Sequence, residues 1–501
     1  MKRILKYNFL AMAALSLSLS SCYEDKGNYD YRELTTLNID TVGTSIREEM
    51  TAIQLENFKM PVKVEYGGDK SKLQYEWKLY PQVVDKDEDE QYFADPVVLS
   101  RQEVLDTTIY EVPGKYYLVY TITDPTQDVK EYLRIKLNIE SALSRGLCVL
   151  DEQDGVTDLH MIKTATLLTD LMPEDESVVH HVFSNVNGRT ETDGRFVQQY
   201  GANRGNKKFF FFTEKGGYEM DPNSFKIRTD DFTSLFSFPM AITANPQAYM
   251  VTSRPMEVMV NDGYVYTLDH TIMGAVTFGD RLKGDYVAAP FLPNISTQNF
   301  ATVIYDTKNG RFAPIDPFGS AVGSFNDTPE AEFNLNKIGL NMDIKYMENG
   351  FNGYTYAIFK DKDNNAYFMY VSDFSGKKEM PLNKYEMAAC PDLNDQSIYA
   401  FAHMGNVCFY TSGSALYQYK YASKNEGTKV RDFNGETITT MQVFKKDGHP
   451  QDGKLLMIST AQAGKGKVYL IAFDELNGAL DTQHMSVYEG FAQVKDVYFK
   501  E

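Results

Sequence analysis

From Ser144 onward the chain repeats one pattern. A short run rich in Val, Ile, Tyr and Phe is followed by a Gly, Asn or Asp turn and then by another aromatic-rich run; such runs begin near Leu147, Phe209, Tyr264, Thr302, Tyr354, Val407 and Leu455. No long amphipathic helical pattern lies between them. Strand-type runs at a spacing of roughly 50 residues, several strands to the unit, are the signature of a β-propeller. Hairpin chemistry recurs within the units. Asp361-Lys362-Asp363-Asn364-Asn365 stands between Ala357-Ile358-Phe359 and Tyr367-Phe368-Met369-Tyr370, and Gly464-Lys465-Gly466 precedes Val468-Tyr469-Leu470-Ile471. Val494–Phe499 reads as one lone strand, which would remove two exposed edges by pairing into the first unit. The expectation is an all-β chain whose residues 143–501 form a propeller of about seven blades; two stacked sandwiches are the competing architecture.

Residues 33–142 have a different texture, with clean period-two alternation. Val62, Val64 and Tyr66 share one face against Lys63 and Glu65, and Leu73, Tyr75, Trp77 and Leu79 alternate with Gln74, Glu76 and Lys78. Leu133, Ile135, Leu137 and Ile139 do the same near the end of this region, and Val112-Pro113-Gly114-Lys115 reads as a turn. Strands of this kind fit an immunoglobulin-like sandwich, with Trp77, the one tryptophan, as a core plug.

Ahead of both regions stand Lys2, Arg3 and Lys6, an apolar run from Phe9 to Leu19, and the small pair Ser20-Ser21. That is the layout of an export signal over residues 1–21. As a helix the run would rise only about 16 Å against the roughly 30 Å of a bilayer's hydrocarbon, too short to span. The ending Leu19-Ser20-Ser21-Cys22 resembles the lipobox of bacterial lipoproteins, which implies lipidation of Cys22. Two or more acyl chains anchor stably where one does not. Glu24 and Asp25 resemble the surface-export signal of many Bacteroidota lipoproteins, and residues 22–32 read as a polar tether.

The tether Cys22–Tyr31, the Tyr75-Glu76-Trp77 strand, and Pro113-Gly114-Lys115-Tyr116 ahead of Tyr120–Asp124 together resemble the PKD-like lipoproteins of Bacteroidota. The Asp-Phe-Gly-Asp-Gly signature of better-known PKD domains is missing, so the likeness is to the looser form of the family. It implies an outer-membrane, lipid-anchored protein facing outward, working beside a SusC-like transporter and its SusD-like lid. It carries no catalytic residues.

The formal charge is −19, and removal of the signal's three cations makes it about −22, which disfavours nucleic acid and anionic lipid surfaces as partners. Beyond Cys22, the three cysteines Cys148, Cys390 and Cys408 are odd in number and form no CxxC pair, so neither a disulfide framework nor a structural zinc site is indicated. Cys148 and Cys408 lie inside apolar runs and read as buried strand residues. No nucleophile elbow, His-Glu-x-x-His helix or phosphate loop is present. Adjacent strand residues point to opposite faces, so His180 and His181 are not expected to share a site on a strand; a turn or surface role is expected. Asp361-x-Asp363-x-Asn365 resembles half of a calcium loop, but Ala366 replaces the needed glycine and Ser372 the terminal glutamate, which leaves a solvated turn. Asp85–Glu90 reads as a solvated charged loop. No catalytic residue, metal ligand or cofactor is expected.

The loops ahead of the predicted inner strands of a propeller converge on its funnel, the concave place where ligands sit. They carry Arg204 and Lys207, Arg254, Phe300, Phe351 with Asn352, and His403 with Met404. Arg204, Arg254, Phe300, Phe351 and His403 are the candidate ligand-binding residues, aromatic faces to stack and arginine forks to grip; packing between blades is the competing role for Phe300 and Phe351. The reading is of a non-enzymatic accessory subunit that captures a glycan, oligopeptide or iron chelate for a SusC/SusD-like importer. The alternatives are a glycan-active hydrolase or lyase on a propeller scaffold and a purely structural subunit of the transport complex.

Overall fold

A computed structural model of the protein describes residues 35–42, 44, 46–84, 91–93, 95–201, 207–295, 299–329, 331–376 and 380–500. The export signal, Cys22, the tether, the Asp85–Glu90 loop and Arg204 lie outside them. The chain divides into two compact units, one of residues up to Met50 with Lys59–Thr107 and Tyr116–Lys136, the other of Thr51–Phe58, Thr108–Lys115 and Leu137–Glu501. Strands dominate both. Among the described residues the one α-helix is Val182–Asn187, and no helix is long and apolar enough to cross a membrane.

In the first unit the strand Gln74–Val84 pairs antiparallel with Gly114–Asp124, placing Trp77 opposite Tyr120. Their rings stack at 4.0 Å, both fully buried, and the indole N–H donates to Gln102 O at 3.0 Å. The alternation read in the sequence is therefore spent as expected, with Trp77 in the core. Leu37–Asp40 pairs with Lys63–Tyr66. Tyr66 Oη, Thr126 and Gln127 all donate to Asp124, holding its carboxyl well below the usual range.

The second unit is a succession of antiparallel sheets, each made of strands that follow one another in sequence, such as Gly194–Tyr200, Lys208–Thr213, Gly216–Met220 and Ile227–Thr229. The exception is the first. Gly146–Gln153, Val156–Lys163 and Ser177–Val179 take their fourth strand, Gln493–Lys500, from the far end of the chain. The lone terminal strand thus closes the unit into a ring, and the fold is propeller-like.

Packing repeats the same closure. Alternate residues of a strand go to opposite neighbours: Phe209 and Phe211 join Cys148, Leu150 and Val197, while Phe210 and Phe212 join Tyr249, Met259 and Tyr266. Consecutive sheets share a core in this way around the unit, and the last, with Leu455, Met457, Val468 and Leu470, returns to Leu147, Val149 and Val497. Each fully buried phenylalanine contributes about 1.5–3 kcal/mol of burial. Cys148 and Cys408 are buried as expected, and burial pushes the Cys148 thiol up to about 12, so it is inert.

One expectation is corrected. The apolar runs near Phe209, Tyr354, Val407 and Leu455, expected as inner strands, are the second strands of their sheets, and Thr302–Asp306 has the 287–289 segment beside it through Ala289 N–H to Tyr305 O. The inner strands are the ones that neighbour each other from sheet to sheet: Gln493–Lys500 lies beside Gly194–Tyr200 and Thr437–Val443, Thr437–Val443 beside Tyr399–Phe401, and Tyr399–Phe401 beside Met342–Asn349. The inner strands Met342–Asn349 and Gly194–Tyr200 are only half-buried, whereas second strands such as Lys208–Thr213 or Met256–Asn261 are buried along their whole length. A strand covered on both faces reads as a continuous apolar run and stands out in sequence.

Candidate functional site

In the sheets after the first the chain passes from the inner strand to the second, so the loops joining the two gather on one rim. Arg254 lies between Pro246–Val251 and Met256–Asn261, Phe300 just ahead of Thr302–Asp306, Phe351 between Met342–Asn349 and Thr355–Asp361, and His403 between Tyr399–Phe401 and Cys408–Ser412. Of the residues chosen from sequence, Arg254, Phe300, Phe351 and His403 share that rim, each in a different sheet, and their circumstances differ.

Arg254 donates to Asp269 at 2.7 Å and to Thr271 at 2.8 Å, and its guanidinium lies over the Phe318 ring. Its fork is committed to its own sheet, with 40% of the side chain still exposed. Phe300 is only 8% exposed and meets Phe325 and Phe374 edge-on, which is the packing role and leaves no ring face for a ligand. Phe351 is half-buried against the tyrosine-rich core of Tyr356 and Tyr421. Lys207 is exposed.

His403 is the residue around which chemistry gathers. Its ring lies near Asp447 and Asp452, with one donor atom from each of the three within 4.8 Å of the others. Both aspartates belong to the 444–454 loop that follows the next inner strand, Thr437–Val443. That loop is pinned at its base by Phe444 N–H to Leu455 O and Gly453 N–H to Phe444 O. His449 locks its middle: Nε2 donates to Leu167 O at 2.8 Å, Nδ1 accepts from Gln451 N–H at 3.0 Å, and the ring stands edge-on to Phe444 and Phe499. This fixes a neutral tautomer. Asp452 Oδ1 accepts Lys446 N–H at 2.7 Å. Gly453, at φ +70°, lets the backbone come so close that an added Cβ would be 3.2 Å from His403 Cβ. On the same rim Lys445 is held by Glu348 at 2.7 Å, and Glu348 also accepts Phe401 N–H at 2.6 Å. Gln451, next to Asp452, lines a cavity of about 360 Å³ with Thr166, Leu455, Leu470 and the segment 484–486.

Two further polar clusters escaped the sequence reading. Glu257, fully buried, accepts from Tyr249 Oη at 2.8 Å and faces Lys208 at 3.2 Å and His270 at 2.6 Å, with Tyr200 stacked on the imidazole. Every oxygen of this carboxylate is satisfied, and the group ties the second sheet to the third. The other cluster corrects an expectation. His180 directly follows the strand Ser177–Val179 and His181 adopts a left-handed conformation (φ 56°, ψ 41°) at the start of Val182–Asn187, so the strand rule does not apply. Both rings turn to His160, with centroids 5.2 and 5.1 Å away. The expected turn is there, yet the pair shares one environment. The Asp361–Asn365 hairpin keeps its solvated reading, because Asp361 is spent on Asp363 N–H and Asn341.

The sequence model of the PKD-like family matches residues 22–193. No curated protein is similar in sequence. Among solved structures, the chain is similar to a quinoprotein alcohol dehydrogenase-like protein from Bacteroides thetaiotaomicron, at 11% identity and a TM-score of 0.49, covering 93% of this chain and 99% of that one. It is also similar to YCF48 from Cyanidioschyzon merolae, at 9% identity and a TM-score of 0.37 over 60% and 94% of the two chains. A third is the extracellular domain of a two-component system from B. thetaiotaomicron, at 10% identity and a TM-score of 0.29 over 82% and 66%. At such identities and scores the likeness carries no argument about activity.

Proposed function

We propose that the chain is a cell-surface lipoprotein, held at the outer membrane through a lipid on Cys22, and that it serves as an accessory nutrient-binding or docking subunit of a SusC/SusD-like importer. Its ring would be a propeller of seven blades, a count supported by the successive sheets of the second unit. The observation that carries the proposal is the Leu19-Ser20-Ser21-Cys22 ending of the export signal, with the PKD-like match beginning at that same cysteine. The acidic charge supports a soluble exterior and disfavours nucleic acid. The rim supports docking as much as capture, because Arg254 and Phe300 are committed to internal contacts while Phe318, Ile272 and Met273 stay exposed around Arg254.

The test is cell fractionation of Cys22→Ala in the native host, with affinity capture of the wild type from detergent extract. The wild type should partition with the outer membrane and bring down a transporter, and Cys22→Ala should be released as a folded protein. Retention of Cys22→Ala in membranes after a high-salt wash would falsify the anchor. Calorimetry of the released protein against glycans, oligopeptides and iron chelates then separates capture from docking; binding of none, with the transporter still captured, leaves docking alone.

A further inference from the structure

We propose that His403, Asp447 and Asp452 form a binding site for a divalent transition-metal ion of the zinc class. The donors come from neighbouring sheets and meet on the rim. Among the described residues, neither His403 nor Asp447 has a hydrogen-bond partner, and no lysine or arginine lies within ion-pair distance of Asp447 or Asp452. No ring nitrogen of His403 is within ion-pair distance of either carboxylate. His403 is thus too far from either carboxylate to bond to it while all three are close enough to share one ion, and among the described residues no lysine or arginine pairs with either carboxylate.

The size of the gap fits. When three donors lie within 4.8 Å of one another, some point is no more than about 2.8 Å from all of them. A contraction of less than about 1 Å then reaches the roughly 2.0–2.2 Å of imidazole and carboxylate bonds to zinc. The scaffold limits where those donors can go. His449 holds the 444–454 loop from one side, Lys446 N–H orients Asp452, and Gly453 admits the His403 side chain against the backbone. The donor set selects the ion. Calcium takes six to eight oxygens, whereas a mixed imidazole and carboxylate set suits zinc and its first-row neighbours. Three protein donors leave at least one position open toward solvent, where a water or an oxygen of a bound molecule completes the shell.

The experiment is calorimetric titration of the full chain with Zn²⁺ and, separately, Ca²⁺. The wild type should bind one Zn²⁺ at this site more tightly than Ca²⁺. His403→Ala and Asp447→Asn should each weaken Zn²⁺ binding at least tenfold, and Asp363→Asn, at an exposed carboxylate in the hairpin of another sheet, should leave it unchanged. Asp447 is exposed, so its variant keeps the fold; Zn²⁺ should raise the thermal midpoint of the wild type and not that of Asp447→Asn. Absence of one-to-one Zn²⁺ binding, undiminished affinity or an equal thermal shift in Asp447→Asn, or a preference for Ca²⁺ overturns the assignment.

Discussion

The Nδ1 atoms of His160 and His180 lie 3.0 Å apart, and only one of them can carry a proton. His160, 1% exposed, has Nε2 2.9 Å from Asp151 Oδ1, and its Nδ1 also accepts His181 backbone N–H at 3.3 Å. A backbone donor cannot change its role, so His160 is neutral with its proton on Nε2 and His180 donates from Nδ1. Asp151 meanwhile accepts Ala492 N–H with its other oxygen, which ties this chain of rings to the start of the closing strand. Burial, with His160 and His181 beside it, lowers the His180 pKa below its ordinary value. Between that lowered value and about 6.5 the unfolded chain binds more protons than the folded one, so stability falls as pH drops through this window. Urea midpoints between pH 7.5 and 5 should show this decline, and His180→Gln should flatten it; an equally steep decline in the variant counts against the assignment.

Lys500 anchors the other end of the closing strand. Fully buried, it donates to Leu143 O at 2.8 Å and to Ser144 O, and burial lowers its pKa to about 8. Between pH 8 and about 10.5 the unfolded chain holds the extra proton, so stability should rise with pH there. Lys500→Met should abolish that rise. It should also cost roughly 1–3 kcal/mol at pH 7 by leaving buried carbonyls unpaired, read from denaturant titrations.

Asp496 has the opposite sign. Its carboxylate accepts Val197 N–H at 2.9 Å, and desolvation raises its pKa to about 7. The stability tied to its protonated form is complete below about pH 4 and is lost as pH rises through 7. Asp496→Asn keeps an acceptor for Val197 without the charge, and it should stabilise the protein at pH 8 relative to wild type and have little effect at pH 4. Thermal midpoints of the two proteins across this range decide the matter.

Gly466 faces the turn into the closing strand. A Cβ added there would sit 1.7 Å from Ala492 O, a backbone atom that cannot swing aside. Gly466→Ala should therefore cost about 1–3 kcal/mol or more, and protease cleavage near residues 490–493 should accelerate. A variant as stable and as resistant as wild type would show that the two backbones separate freely.

The sequence displayed the strands buried on both faces and hid the half-buried ones beside them. Lys208–Thr213 announces itself as four consecutive phenylalanines, while its inner neighbour Gly194–Tyr200 mixes Arg195, Gln198 and Gln199 with Phe196 and Val197. Ring closure was legible because Val494–Phe499 had no local partner. The rim was not legible, because antiparallel neighbours begin at opposite edges: a loop ahead of a second strand lies where the inner strands end, on the rim opposite the one expected for loops that feed inner strands. What escaped was the pairing of His403 with Asp447 and Asp452, set by the neighbouring sheet. The available signal was the long polar stretch Lys445-Lys446-Asp447-Gly448-His449-Pro450-Gln451-Asp452-Gly453, too long for a tight turn. The turn at His180 and His181 was expected; what the strand rule could not give is their shared approach to His160, because His181 has a positive φ.

The strand Gln493–Lys500 completes a sheet whose other members precede it by hundreds of residues; Lys500 and the carbonyl of Leu143 that it binds are 357 positions apart. During synthesis the first sheet therefore waits, with one edge unpaired, until the rest of the ring exists. Contacts of such long sequence separation form late and slowly. An unpaired edge held open that long is a place where another chain can add. The interval between the emergence of Gly146–Gln153 and the arrival of Gln493–Lys500 is thus the period in which this protein most needs a chaperone.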